Sequence, residues 1–338
     1  MTSAYFQHLE ELQKQIDKQN VTSEQLASTF LYLVSSAKNL DVESQNEAVV
    51  KISELVEFAS VKGSPELGAM LGIIGGAIIE LKKANPILLL PQVYTLMMNM
   101  LHHAKPILEI YANNPNPDKR ELKQSNPQSF YAWEVLDKAW LPLTTIFTHS
   151  QQAREKIRKD KKFLEFLEPY VSHHEGCMWI YRALHIYDGE IMVFHPEQML
   201  GYRIMVEDID HPFTLSNLLT EKLVGDPTQG CIPKKPKSSD IAQFWIYNWE
   251  VLKEMPEDFK DLSVMKYLKS PAYMGSESWM FDLSFYNGIP VLVLIDTDFK
   301  FGFNIPGSFP ELSSKITILE TLDRTSVQDW LSKLRNTE

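Results

Sequence analysis

Only two of the 338 residues are cysteine. Cys177 and Cys231 are too few for the disulfide framework of a secreted chain, and they read as reduced thiols. Acids outnumber bases by 44 to 33, a formal net charge of −11. That field has the wrong sign for nucleic acid as the main partner, because phosphate binding relies on clustered Lys and Arg. The start of the chain, Met1 to Glu10, lacks a basic region followed by an apolar one, so no signal peptide is read there. Long apolar runs are also missing. Leu67 to Ile79 falls short of the ~20 residues a spanning helix needs, and the run after Pro86 is broken by Pro91, Gln92 and Asn99. The expectation is a cytoplasmic protein with no membrane partner.

Several catalytic and cofactor signatures are lacking as well. No His-Glu-x-x-His, no Cys-x-x-Cys and no Gly-x-Ser-x-Gly elbow occurs, and no phosphate-cradling glycine loop follows a strand. The reading assigns no cofactor, no metal and no catalytic residue.

What is present is an ordinary globular composition, with 44% hydrophobic and 23% charged residues. Such a chain folds without metal or disulfide support. Its length predicts two domains. Residues 1–187 read as an all-α array, a bundle or an irregular solenoid. Tyr5, Leu9, Leu12 and Ile16 recur at helical spacing. Thr22 with Gln25 forms a capping box for a helix through Leu40, and Asp41 caps the next. Ser64-Pro65-Glu66 is a further start signal. More helices are predicted near 86–112, 128–148, 150–160, 162–172 and 175–187, separated by punctuators such as Asn113 to Pro117.

From residue 188 to 338 the pattern becomes mixed α+β. Glu190 to Phe194 and Gly201 to Glu207 read as strands, Phe213 to Leu223 as a helix, and Gly225 to Asp240 as a loop. A helix is predicted around Trp245 and Trp249, a buried strand over Pro290 to Ile295, and a last helix capped by Ser326. Residues 186–338 hold 14 basic and 23 acidic side chains, a net of −9. The negative field belongs mostly to this half, which favours a basic partner there.

Six features carry chemical suggestions. Gly68, Gly72 and Gly76 fall on one helix face and read as tight packing, or as a docking groove or dimer contact. His173, His174, Glu175, Cys177, His185, Asp188, Glu190 and His195 are of metal-ligand type but lack zinc spacing. Asp296 and Asp298 follow an apolar strand, where α/β enzymes often place a carboxylate. Glu207 to His211 contains an Asp–His pair suited to acid–base work, or a polar turn. The basic run Arg154, Lys156, Arg158, Lys159, Lys161 and Lys162 reads as a solvated helix face, or as a phosphate-bearing partner's site. The aromatics Phe244, Trp245, Tyr247, Trp249, Tyr273, Trp279, Phe281, Phe285 and Tyr286 are dense enough to supply both core and a binding surface.

Residues 190–223, with His195-Pro196, Gly201-Tyr202-Arg203 and the Leu218-Leu219 pair, resemble a segment of a family of bacterial proteins of unknown activity. Residues 287–331, from Asn287-Gly288 to Trp330-Leu331, are similar to that family's ending. The resemblance implies a bacterial two-part architecture and supplies no catalytic residues.

The favoured expectation is a non-enzymatic protein-interaction module, an immunity or accessory protein that binds a basic protein. Its binding residues are taken as His185, His195, Asp208, Asp210, Trp245 and Trp249. The rival is a metal-assisted hydrolase with a site at the domain junction, using His185, His195, Asp208 or Asp210. A homo-oligomeric structural protein is the third reading.

Overall fold

The computed structural model describes residues 2–18, 23–81, 83–233, 241–256, 282–302 and 307–337. The chain divides into two compact units, Met1–Leu184 and His185–Glu338. The division falls slightly before the boundary at 187 read from the sequence. Thr22, Tyr273, Trp279 and Phe281 lie outside the described residues.

The first unit is helical. Its α-helices are α1 (Thr2–Asp17), α2 (Ser23–Ala37), α3 (Val42–Val61), α4 (Pro65–Ile79), α5 (Leu90–Asn113), α6 (Lys119–Ser125), α7 (Pro127–His149), α8 (Gln151–Arg158), α9 (Lys161–Leu167) and α10 (Glu175–Leu184). Caps explain several starts. Asp41 accepts from the Ser44 amide at 2.8 Å, and Asp118 from the Arg120 amide at 2.8 Å. The short α6 is absent from the sequence reading, because seven residues carry too little periodicity to register.

The helices pack in two rows. One row runs α1, α3, α5, α9 and the other α2, α4, α7, α10, with successive members of each row in contact and α3–α4 and α5–α7 pairing across. The first unit is thus a helical array held both along the rows and across them.

The glycines of α4 serve this packing. A Cβ at Gly72 would meet the Pro142 ring of α7 at 3.1 Å, and one at Gly68 would meet the Val56 carbonyl of α3 at 3.1 Å. The stripe is interior, split between two neighbouring helices, and offers no groove or dimer face.

The basic run is also not a uniform solvated face. Arg154 is buried and donates to the Phe147 carbonyl at 2.6 Å, closing the end of α7. Arg158 donates through Nε to the Leu184 carbonyl at the end of α10. Lys156, Lys159, Lys161 and Lys162 remain exposed.

Among the described residues, the second unit is built on a six-stranded sheet. Its elements are β1 (Tyr187–His195), β2 (Leu200–Ile209), α11 (Pro212–Leu223), β3 (Ile241–Asn248), β4 (Phe285–Tyr286), β5 (Ile289–Gly302), β6 (Lys315–Thr321) and α12 (Arg324–Arg335). The strand order is β3-β5-β1-β2-β6, with β4 paired to β5. Only β1 and β5 are parallel among these pairs; the rest are antiparallel.

The two central strands are buried on both faces, which explains their continuous apolar runs. Ile191, Val193, Leu292 and Leu294 face one core with Leu215 and Leu219 of α11. Met192, Phe194, Val291, Val293 and Ile295 face the other with Val327, Leu331 and Leu334 of α12.

Three expectations are corrected here. Trp245 sits on strand β3 and Trp249 opens a short 3-10 helix (Trp249–Lys253), so the two do not share an α-helix. Phe244 and Ile246 turn to the α11 core, while Tyr247 turns to the α12 core with Trp245 packed against it. Because every position in Phe244–Tyr247 is aromatic or branched, no polar residue marks the alternation, and the Trp–Trp spacing mimics a helix. Strand β5 does not stop at Asp296 but continues to Gly302. The cap of α12 is Asp323, whose Oδ1 accepts from the Ser326 amide at 2.9 Å, rather than Ser326 itself.

Candidate functional site

Strands β1 and β5 end their parallel pairing where His195 and Asp296 meet. His195 is the last residue of β1, is fully buried, and is capped edge-on by the Phe244 ring at 5.7 Å. Its Nε2 lies 3.0 Å from Asp296 Oδ1. Its Nδ1 lies 3.3 Å from the Gln198 amide nitrogen, which can only donate. Nδ1 therefore presents its lone pair, and the ring proton sits on Nε2, where it donates to Asp296. Asp296 keeps contact with solvent, its side chain 32% exposed.

This arrangement looks like half of a catalytic triad but works differently. A general base needs a free lone pair within reach of a substrate proton. Both nitrogens of His195 are committed, one to the turn Pro196–Gln198 and one to β5. The pair instead ties the end of β1 to the interior of β5 and fixes the tight turn, in which Met199 takes φ 53°.

Asp210 lies just past β2 and is buried. It accepts from the Phe309 amide at 2.8 Å, from the Ser308 amide, and from Thr214 Oγ1 at 3.5 Å. Burial pushes its carboxyl above the ordinary carboxylate range, and these hydrogen bonds only partly oppose the shift. A Cβ at Gly307 would stand 2.6 Å from Asp210 Oδ1, so glycine is required for the loop to cradle the carboxylate. His211, the neighbour in the proposed acid–base pair, accepts from the Phe213 amide at 3.1 Å and caps α11.

Asp208 has a left-handed backbone, φ 55°. Its amide donates to Asp188 Oδ1 at 2.9 Å and its carbonyl accepts from Ser314 Oγ at 2.6 Å. His185 occupies the turn after α10 rather than the helix predicted for it. Among the described residues, no three His, Cys, Asp or Glu side chains gather as a metal-binding group, so His185, His195, Asp208 and Asp210 do not form one.

In the first unit His174 is buried 3.2 Å from Asp137 Oδ1, against the edge of Trp133. Burial pushes the Cys177 thiol far up, leaving it protonated and inert at neutral pH.

The tryptophans pack at the α12 side of the sheet. Trp249 is buried against Tyr286, with the Lys253 ammonium 5.2 Å over its ring. Trp245 is half-buried at the margin of the α12 core. Of the aromatics singled out from the sequence and described here, Phe285 is the most exposed.

The chain matches no family model, and no curated protein or solved structure is significantly similar to it. The site must therefore be read from its own geometry.

Sequence reasoning singled out Asp296 and His195 separately and could not join them, since they stand 101 residues apart. It missed the cradle of Asp210, whose partners 307–309 carry no reactive group to draw notice. No helix among the described residues is long and apolar enough to cross a membrane.

Proposed function

We propose that this chain is a non-enzymatic, cytoplasmic protein-interaction module, an immunity or accessory protein whose second unit binds a basic protein partner. The observation that carries the reading is the commitment of His195, with both ring nitrogens held by the fold rather than turned to a ligand. Asp210 supports it in the same way, its carboxylate closed over by backbone amides.

Charge gives the direction of the partner. The second half holds 23 acidic against 14 basic side chains. On the sheet, the one arginine of β2, Arg203, stands between Glu190 at 3.8 Å and Glu320 at 3.7 Å. An excess of acidic side chains speeds encounter with a basic partner and suppresses acidic ones.

The test is capture by the full-length chain from its native host, followed by reconstitution with the purified partner. The expected result is a stoichiometric complex with a basic protein, whose association slows as salt rises. A purified chain that carries a bound metabolite or stoichiometric metal, and captures no such protein, would overturn the reading.

A further inference from the structure

A cavity of about 400 Å³ opens in the helical unit between α5, α8 and the turn that leads into α9. It is lined by Leu90, Pro91, Tyr94, Thr95, Lys156, Ile157, Lys159 and Asp160. The volume falls in the range typical of small-molecule sites. The buried side chains Leu90 and Ile157, with Pro91, supply an apolar wall.

The polar groups are oriented. Tyr94 donates to Asp160 Oδ2 at 2.6 Å, and its ring packs on Phe163 with centroids 5.4 Å apart. Asp160 also accepts from the Phe163 amide at 3.1 Å. The Tyr94 hydrogen bond and those amides hold the Asp160 carboxyl below its usual range, while burial and Asp160 together push the Tyr94 hydroxyl up to about 12. At neutral pH the carboxylate is ionised and the phenol keeps its proton. Thr95 in turn donates its hydroxyl hydrogen to the Pro91 carbonyl at 2.9 Å.

Two consequences follow for a ligand. Both hydroxyls have spent their hydrogens inside the protein, so each offers only lone pairs and asks for a donor. Lys156 and Lys159 are exposed at the cavity, and among the described residues neither has an ion-pair partner. Against the carboxylate of Asp160, on which Lys162 also acts, they leave the cavity with a net positive charge. That complements a monoanion better than a bare dianion, which Asp160 would repel.

We infer that this cavity binds a small amphipathic carboxylate bearing a hydroxyl group, with its apolar body against Leu90, Pro91 and Ile157, its carboxylate at Lys156 and Lys159, and its hydroxyl donating to Tyr94 or Thr95. The site lies within the helical unit and does not depend on the protein-partner reading.

The experiment is calorimetric titration of the full-length chain with 3-hydroxydecanoate, alongside decanoate, decylamine and inorganic phosphate. Expected are saturable binding of one hydroxy acid per chain, weaker binding of decanoate, and none of decylamine. The doubly substituted Lys156→Glu, Lys159→Glu chain should bind about tenfold more weakly or worse. Both lysines are exposed, so that variant should keep its melting temperature, checked by circular dichroism. Tyr94→Phe with Thr95→Val should erase the preference for the hydroxy acid over decanoate. The inference is overturned if no probe binds at millimolar concentration, if the amine binds as well as the acid, if the charge reversal changes nothing, or if phosphate alone binds as tightly.

Discussion

His195 Nε2, at the end of β1, and Asp296 Oδ1, within the parallel strand β5, stand 3.0 Å apart in a contact that closes 101 residues of chain. The imidazole is held there by a turn amide on its other nitrogen, so the contact is a clasp on the sheet.

Removing the clasp should cost stability. His195→Ala leaves a buried gap and an amide without its acceptor, and is expected to lose about 2–4 kcal/mol. Asp296→Asn, at a partly exposed site, should lose about 1 kcal/mol. Urea unfolding of both variants and of the double variant should return a coupling energy of about 0.5–3 kcal/mol. Additive losses would mean the two side chains do not act as a pair.

Asp210 makes a prediction in pH. Its carboxyl is raised by burial, so the folded chain holds this proton more tightly than the unfolded chain does. The group's contribution is fully present below the unfolded value and is lost as pH rises through the raised folded value. Relative to Asp210→Asn, the native chain should therefore lose ground from acidic to neutral pH. Urea unfolding at a series of pH values measures this, and a constant difference would refute it.

The cradle around Asp210 is tested from its other side by Gly307→Ala. The new methyl would have to sit 2.6 Å from Oδ1. A loss of about 1–3 kcal/mol is expected in thermal or urea unfolding.

In the helical unit, Gly72→Val should be destabilising despite the better helix propensity of valine. The Pro142 ring and Val93 already stand 3.1 and 3.4 Å from the position of a Cβ. An expected loss of about 1–3 kcal/mol, again by urea unfolding, separates interior packing from a surface role.

Among the described residues, strand β6 is an edge of the sheet, with Ile318 and Leu319 exposed. Two devices blunt it. A register shift falls opposite Arg203/Ile204, and Lys315 stands near one end, paired with Glu207 at 2.9 Å. Lys315→Val would extend the apolar run and is expected to produce concentration-dependent association, read by light scattering.

The helices were legible because burial on one face writes a period into the sequence, as Tyr5, Leu9, Leu12 and Ile16 show by all being buried. Strand β2 was legible for the same reason, with Tyr202, Ile204 and Val206 inward and Arg203 outward. Strand β3 was not, since both its faces are covered and Phe244 to Tyr247 carry no polar beat. Strand β6 escaped because it is mostly exposed, and a strand without a buried face has little pattern to show. The candidate residues were found as reactive types, but their roles depend on amides of Gln198, Ser308 and Phe309. Backbone donors have no letter of their own, so only the folded chain reveals that they occupy His195 and Asp210.

The two-row stacking of helices implies that the first unit need not come apart in one step. Each helix leans on its neighbours in the rows, so a defect at one end weakens the adjoining helices and leaves distant ones standing. Amide exchange along α1 to α10 should then fall into a gradient, slowest around α4 and α7 and fastest toward α1, and the unit would melt by peeling.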